Sequence, residues 1–247
     1  MGMISNTVKH LLIINILVFV GIYMYEEQMF RLFSLWFPEN QNFGYWQFLT
    51  YMFMHGGFMH ILFNMYALFA FGSPLEQIWG RNKFLFFYIS TGLGAALIHT
   101  LVNYYQFNTV LNDLISAGFN QSDIIDTLNS GQYNTTWKNA VDPGRVDNFI
   151  SSFMSPAVGA SGAIYGILVA FGMMFPNAEL MLIFLPIPIK AKYFIPGLIL
   201  LDLFSGFTGY SVFGANIAHF AHIGGALIGF IMMWYWKKNQ FNNNRWD

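Results

Sequence analysis

Ser161 and His222 are the residues whose types suggest chemistry, since a hydroxyl and an imidazole at hydrogen-bond distance act as a nucleophile and its base. Ser161 stands in Gly159-Ala160-Ser161-Gly162 and His222 in Ala221-His222-Ile223-Gly224-Gly225, and each patch opens a long apolar stretch. Polar side chains at membrane depth are costly unless they pair or line a cavity, which marks them as functional candidates. A third patch, His55 to Asn64, carries His60 and Asn64 four residues apart and hence on one helix face. A lone serine in an apolar helix most often bonds its own backbone, and a lone histidine is about as often structural as functional. His10 and His55 fall at the ends of apolar runs, and His99 has only a structural reading. His219 shares a face with His222, but no Asp, Glu or Cys accompanies the pair and the His-Glu-x-x-His pattern is absent. No metal and no cofactor is therefore expected.

The rest of the chain says where those groups sit. Of 247 residues, 55% are hydrophobic and only 9% charged. A soluble domain carries about 25% charged residues, so the balance is that of a membrane protein. The 28 Phe, 13 Tyr and 7 Trp suit a lipid-facing surface with interfacial aromatics. A net charge of −1 argues against nucleic acid as a partner. The absence of cysteine excludes disulfides, thiolate nucleophiles and Cys-ligated metals. The apolar run after Lys9 has no small-residue cleavage site before Glu26-Glu27, which reads as a retained membrane helix rather than a signal peptide.

A spanning helix needs about 20 mostly apolar residues. Six segments qualify: 8–25, 57–75, 84–104, 155–176, 192–208 and 216–236. The expected fold is thus an all-α polytopic membrane protein, a single membrane domain over residues 1–247. Leu180 to Ile189 is also apolar, but Pro186 and Pro188 make it an interfacial loop rather than a helix. An even number of spans puts both termini on one side. With that side cytoplasmic, Lys9, Arg81, Lys83, Lys190, Lys192, Lys237, Lys238 and Arg245 lie inside, eight of 11 basic residues. This is the positive-inside orientation. Outside lies a first loop, 26–56, too aromatic to be solvated and expected to rest in the interface. A second outer segment, 105–152, reads as an extramembrane insertion with helices at 108–117 and 122–129. Residues 206–216, rich in small residues, are a candidate cap. No transporter-type repeat is present.

Helix arithmetic puts the polar groups in one layer. Ser161 to Pro176 and His222 to Lys237 are both 15-residue intervals, each worth ~22 Å of helix. Against a core of about 30 Å, both side chains lie roughly 8 Å below the outer surface. Asn64 to Glu76 is 12 residues, or ~18 Å, and His60 lies one turn higher. Gly162-xxx-Gly166 and Gly225-xxx-Gly229 are small-xxx-small patterns that let helices approach closely, so these four glycines are candidate packing residues.

On these residues the chain resembles the rhomboid family of intramembrane serine proteases. The match rests on His55-Gly-Gly-Phe-Met-His60-Ile-Leu-Phe-Asn64, on Glu76 to Arg81, on Gly159-Ala-Ser161-Gly162-Ala-Ile-Tyr165-Gly166 and on Ala221-His222-Ile-Gly-Gly225-xxx-Gly229. The resemblance covers all six spans. It implies a serine-type endopeptidase with Ser161 as nucleophile and His222 as base, a dyad with no acid partner. In agreement, no Asp or Glu is expected near that layer, and Asp202 in the fifth span has no obvious claim on it. Asn64, His60 and the Ser161 N–H resemble the oxyanion-binding group, and Tyr165 the aromatic that packs on the base. Gly162 and His55 are implied as neighbours supporting the site.

Implied partners are transmembrane protein substrates, unwound locally near the outer interface, and the lipid bilayer. The implied location is a bacterial inner membrane, multi-pass, with cytoplasmic termini and a site opening outward. Sequons at Asn120 and Asn134 matter only in a eukaryotic secretory membrane. The chain departs from the Trp-Arg that many relatives carry in the first loop, having Trp46-Gln47, and its insertion is longer than a minimal core needs. A catalytically silent rhomboid-like binding or chaperone factor is the alternative, opposed by the presence of both Ser161 and His222. A transporter or proton relay is a weaker one, for want of midspan carboxylates other than Asp202.

Overall fold

A computed structural model describes residues 4–182, 185–209 and 218–240. Four of its helices are long and apolar enough to cross a membrane: Asn6–Met24, Phe58–Trp79, Arg81–Ser116 and Ala191–Thr208. A shorter apolar helix, Ser161–Met174, and a 22-residue helix, His219–Gln240, complete the bundle. Lipid offers no partner for backbone groups, so apolar runs of this length satisfy themselves as helices. The start of the first helix is held from elsewhere. Glu76 accepts from the Thr7 N–H at 2.9 Å and the Val8 N–H at 3.0 Å, and from the Ser5 hydroxyl. A carboxylate there satisfies orphan N–H donors and complements the helix dipole.

The bundle core forms where the Ser161–Met174 and His219–Gln240 helices lie against the Arg81–Ser116 helix. Met52, Phe87, Tyr88, Ala96, Ala163 and Ile167 are buried there. Outward faces stay apolar, with Leu17, Phe86, Leu97, Leu200 and Phe230 exposed, as a lipid-facing surface requires.

Several expectations need correction. The predicted third span does not stop at residue 104. Its helix runs 36 residues from Arg81 to Ser116, ~54 Å, well beyond a ~30 Å core. The helix expected at 108–117 is the C-terminal end of that rod. Gln121–Asn129 forms as expected, and Trp137–Ala140 and Pro143–Met154 add two more helices. The insertion buries its own apolar cluster of Phe107, Leu114, Leu128, Trp137, Phe149 and Phe153. The first loop docks onto it. Phe37 lies 4.5 Å from the Phe107 ring, Asn40 Nδ2 donates to the Phe153 carbonyl at 2.9 Å, and Gln41 bonds Asn129 twice.

Gln47 is buried and fastens the first loop itself. Its Nε2 donates to the Asn42 carbonyl at 2.7 Å, with longer contacts to those of Arg31 and Leu32, and its Oε1 accepts from the Trp36 N–H.

The predicted fourth span, 155–176, is helical only from Ser161 to Met174, because the chain enters through Pro156 and a left-handed Gly159 (φ +121°). Leu180 to Ile189 is not a loop, and the fold is not purely α. Glu179–Leu182 pairs antiparallel with Leu185–Lys190, Glu179 opposite Lys190 and Leu180 opposite Ile189. Proline forbids a helix there but is tolerated in a two-stranded ribbon, where each strand has a free edge. Of the candidate cap, residues 210–216 lie outside the described residues, as does the predicted start of the sixth span at 216.

Candidate active site

The two glycine patterns interlock. A Cβ at Gly225 would stand 1.8 Å from the Gly162 carbonyl oxygen, and one at Gly229 would stand 2.7 Å from the Gly166 Cα. Paired in that order, the Ser161–Met174 and His219–Gln240 helices run parallel with their backbones in contact. The Arg81–Ser116 helix closes the third side, for a Cβ at Gly162 would meet Ala95 and one at Gly166 would meet Thr91, each at 2.6 Å. Small residues at such crossings let polar groups meet across helices in lipid.

That approach brings Ser161, first residue of its helix, to His222, one turn into the other. His222 Nε2 and Ser161 Oγ are 2.8 Å apart. The Tyr165 ring stacks on the His222 ring, centroids 4.2 Å apart and planes 12° from parallel. Gly159 leaves room for a second histidine. A Cβ there would lie 2.7 Å from His60 Nε2 and 3.6 Å from Ser161 Oγ, so the His60 ring packs over the turn that presents the serine. The Gly56 N–H points to His60 Nδ1 at 3.4 Å, which leaves the ring proton of neutral His60 on Nε2, toward that turn. Asn64 is buried and donates one amide N–H to the His60 carbonyl at 3.0 Å. His55 is fully buried with its ring 5.1 Å from that of His60. His99, read as structural, meets Asn103 Nδ2 at 3.0 Å.

The expectation that no carboxylate comes near that layer, and that Asp202 has no claim on it, is overturned. Asp202, 2% exposed, places Oδ1 at 3.2 Å and Oδ2 at 3.3 Å from His222 Nδ1. Its Oδ1 also takes His219 Nδ1, and its Oδ2 accepts the Tyr165 hydroxyl. The same counting that located Ser161 would have found it. Asp202 lies 11 residues into the helix that starts at Ala191, ~17 Å, within about a turn of the ~22 Å assigned to Ser161. An acid inside an apolar helix is itself a functional signal.

A carboxylate does accompany His219 and His222, contrary to the expectation from sequence. Asp202, His219 and His222 offer ligand atoms within 4.8 Å of one another, the one such triplet among the described residues. Hydrogen bonds from both imidazoles to one carboxylate account for that spacing.

Comparison with known proteins fits this architecture. The model of the Rhomboid domain matches residues 42–121 and 130–239. Presenilin-associated rhomboid-like protein A, mitochondrial, of Danio rerio is 28% identical over 197 residues, 76% of this chain and 38% of the relative. Rhomboid protease AarA of Providencia stuartii is 27% identical over 195 residues, 75% of this chain and 53% of AarA. Rhomboid protein 1, mitochondrial, of Saccharomyces cerevisiae is 24% identical over 186 residues, 75% of this chain and 40% of the relative. The matched region thus spans about half or less of each relative's length. With more than half of its length matched by the domain model, and with apolar helices of membrane-spanning length, this chain belongs to the rhomboid family.

Proposed function

We propose that the protein is an intramembrane serine endopeptidase that hydrolyses a peptide bond in or near a transmembrane helix of its substrates. The observation that carries this reading is the 2.8 Å approach of Ser161 Oγ to His222 Nε2 from two interlocked helices. The similarity to a protease by name, Rhomboid protease AarA, supports it.

In the proposed reaction His222 Nε2 takes the Ser161 proton as Oγ bonds to the scissile carbonyl carbon. The carbonyl oxygen becomes an oxyanion. His60 Nε2–H, the second Asn64 amide N–H and the Ser161 N–H are its proposed donors. A serine at the first position of a helix has a backbone N–H with no intrahelical acceptor, which suits that role. His222 then returns the proton to the leaving amine nitrogen, and the acyl-enzyme is hydrolysed by water activated the same way. Tyr165 and Gly162 support the base and the nucleophile, and His55 backs His60.

The proposed architecture is one membrane domain of six spans. Ser161–Met174 and His219–Gln240 join the four long apolar helices, with both termini on the cytoplasmic side and the site opening outward. The inner placement of eight of 11 basic residues supports this orientation, and the bacterial relative AarA supports a bacterial inner membrane. Substrate helices must unwind to offer a carbonyl, so small or helix-breaking residues near their outer ends favour cleavage.

The test is detergent-purified protein with a fluorescein-labelled single-span reporter whose helix is interrupted by glycine and proline near its outer end. Cleavage by the wild type and none by Ser161→Ala is expected. Equal product from the two would refute the reading. No cleavage and no fluorophosphonate labelling of Ser161 in well-folded wild type would favour the silent binding factor instead.

A further inference from the structure

A base works only if its lone pair faces the nucleophile, and a neutral imidazole has two tautomers to choose from. We propose that Asp202 is a positioning residue that holds His222 in the Nδ1–H tautomer, with His219 and Tyr165 fixing the carboxylate, so that the catalytic unit is a Ser161–His222–Asp202 triad with two clamps. This rests on the serine-protease reading above and goes beyond the dyad that the sequence implied.

The geometry assigns each contact. An ionised carboxylate only accepts hydrogen bonds, so the His222 nitrogen facing both Asp202 oxygens is the one that carries the proton. Nε2, 2.8 Å from Ser161 Oγ, is then bare and accepts the serine proton. When that proton arrives His222 becomes a cation, and the buried carboxylate at its far edge stabilises the charge where little water competes. A carboxylate at membrane depth is costly unless its lone pairs are used. Here Oδ1 takes His219 and His222, and Oδ2 takes Tyr165 and His222.

The two clamps differ in origin. His219 precedes His222 on the same helix by three residues, so one helical turn aims both Nδ1 atoms at one acceptor. Tyr165 follows Ser161 on the other helix by four. Its ring covers the face of His222 while its hydroxyl reaches Asp202, so one side chain fixes the base in two directions. The bland reading, a buried ionic cluster that merely ties the Ala191–Thr208 helix to its neighbours, predicts lost stability but no selective effect on turnover.

Two measurements separate these. In wild-type protein labelled with 15N-histidine, NMR should find His222 protonated at Nδ1 and bare at Nε2, its signals identified by their absence in His222→Ala. With the reporter and with a fluorophosphonate, Asp202→Asn should lower kcat and the Ser161 labelling rate by about 10²–10⁴ while KM stays within about threefold, as for loss of the orienting acid in other triads. His219→Gln and Tyr165→Phe, which keep the carboxylate, should lose about tenfold each, about the worth of one hydrogen bond. An Nε2-protonated His222, or Asp202→Asn labelling Ser161 within threefold of wild type, overturns the assignment. Reporter cleavage that survives Ser161→Ala overturns the protease reading, and the assignment with it. If Asp202→Asn does not fold, the wild-type tautomer and the two clamp variants still decide.

Discussion

Gly162 and Gly225 touch backbone to backbone, the Gly162 carbonyl oxygen occupying the space where any side chain on residue 225 would begin. Because Ser161 and His222 each lie within three residues of that contact, it sets the distance between nucleophile and base. A methyl group there strikes backbone, which cannot rotate away as a side chain can.

Gly225→Ala is therefore expected to push the two helices apart. Overpacking of a core typically costs about 1–3 kcal/mol, and an obstacle made of backbone belongs at or above the upper end. Thermal midpoint in detergent and fluorophosphonate labelling of Ser161 should both fall, labelling by at least about tenfold, since proton transfer needs contact at ~2.6–3.2 Å. Gly197→Ala is the control. Nothing lies within 4 Å of a Cβ there, so stability and labelling should hold.

The oxyanion proposal gives a different signature. Asn64→Ala and His60→Ala should each lower kcat by about 10²–10³ while KM changes little, because donors to an oxyanion act in the transition state. Steady-state kinetics on the single-span reporter read this out. A loss confined to KM would place these residues in substrate binding instead.

Gln47→Ala should destabilise without touching catalysis. It leaves the Trp36 N–H and the Asn42 carbonyl without their partner in a half-buried position, at about 1 kcal/mol for each unsatisfied group, the low end of the range for fully buried ones. Gln47→Glu should be worse, since a carboxylate cannot donate to the Asn42, Arg31 and Leu32 carbonyls. A lowered midpoint with kcat within about threefold of wild type is the expected outcome, from thermal melts and reporter cleavage side by side.

The insertion can be loosened by itself. Trp137 is buried against Phe149 in a cluster separate from the helical core. Trp137→Ala should cost about 3–5 kcal/mol locally and open residues 117–152 to limited proteolysis. Ser161 labelling should stay within about threefold. The Arg145–Asp113 pair on the same unit is half exposed, so Asp113→Asn should change the midpoint little.

The sequence by itself determined what is local or periodic. Apolar runs of spanning length need no tertiary knowledge, because lipid forces each to bond internally. The layer holding Ser161 and His222 follows from a fixed rise per residue, and the glycine patterns announced a close crossing. Only the tertiary structure decided which groups meet across that crossing. Asp202 reaches His222 because its helix packs beside the His219–Gln240 helix, a matter of rotation about an axis that residue counting along the axis does not contain. The docking of Phe37, Asn40 and Gln41 onto the insertion joins segments about a hundred residues apart, and no periodicity encodes it. Gln47 is the same case in miniature. Its residue type departs from the family, but its four backbone partners, visible only in three dimensions, do the anchoring. Depth was readable from sequence because a membrane has one axis. The identity of neighbours at that depth required the other two.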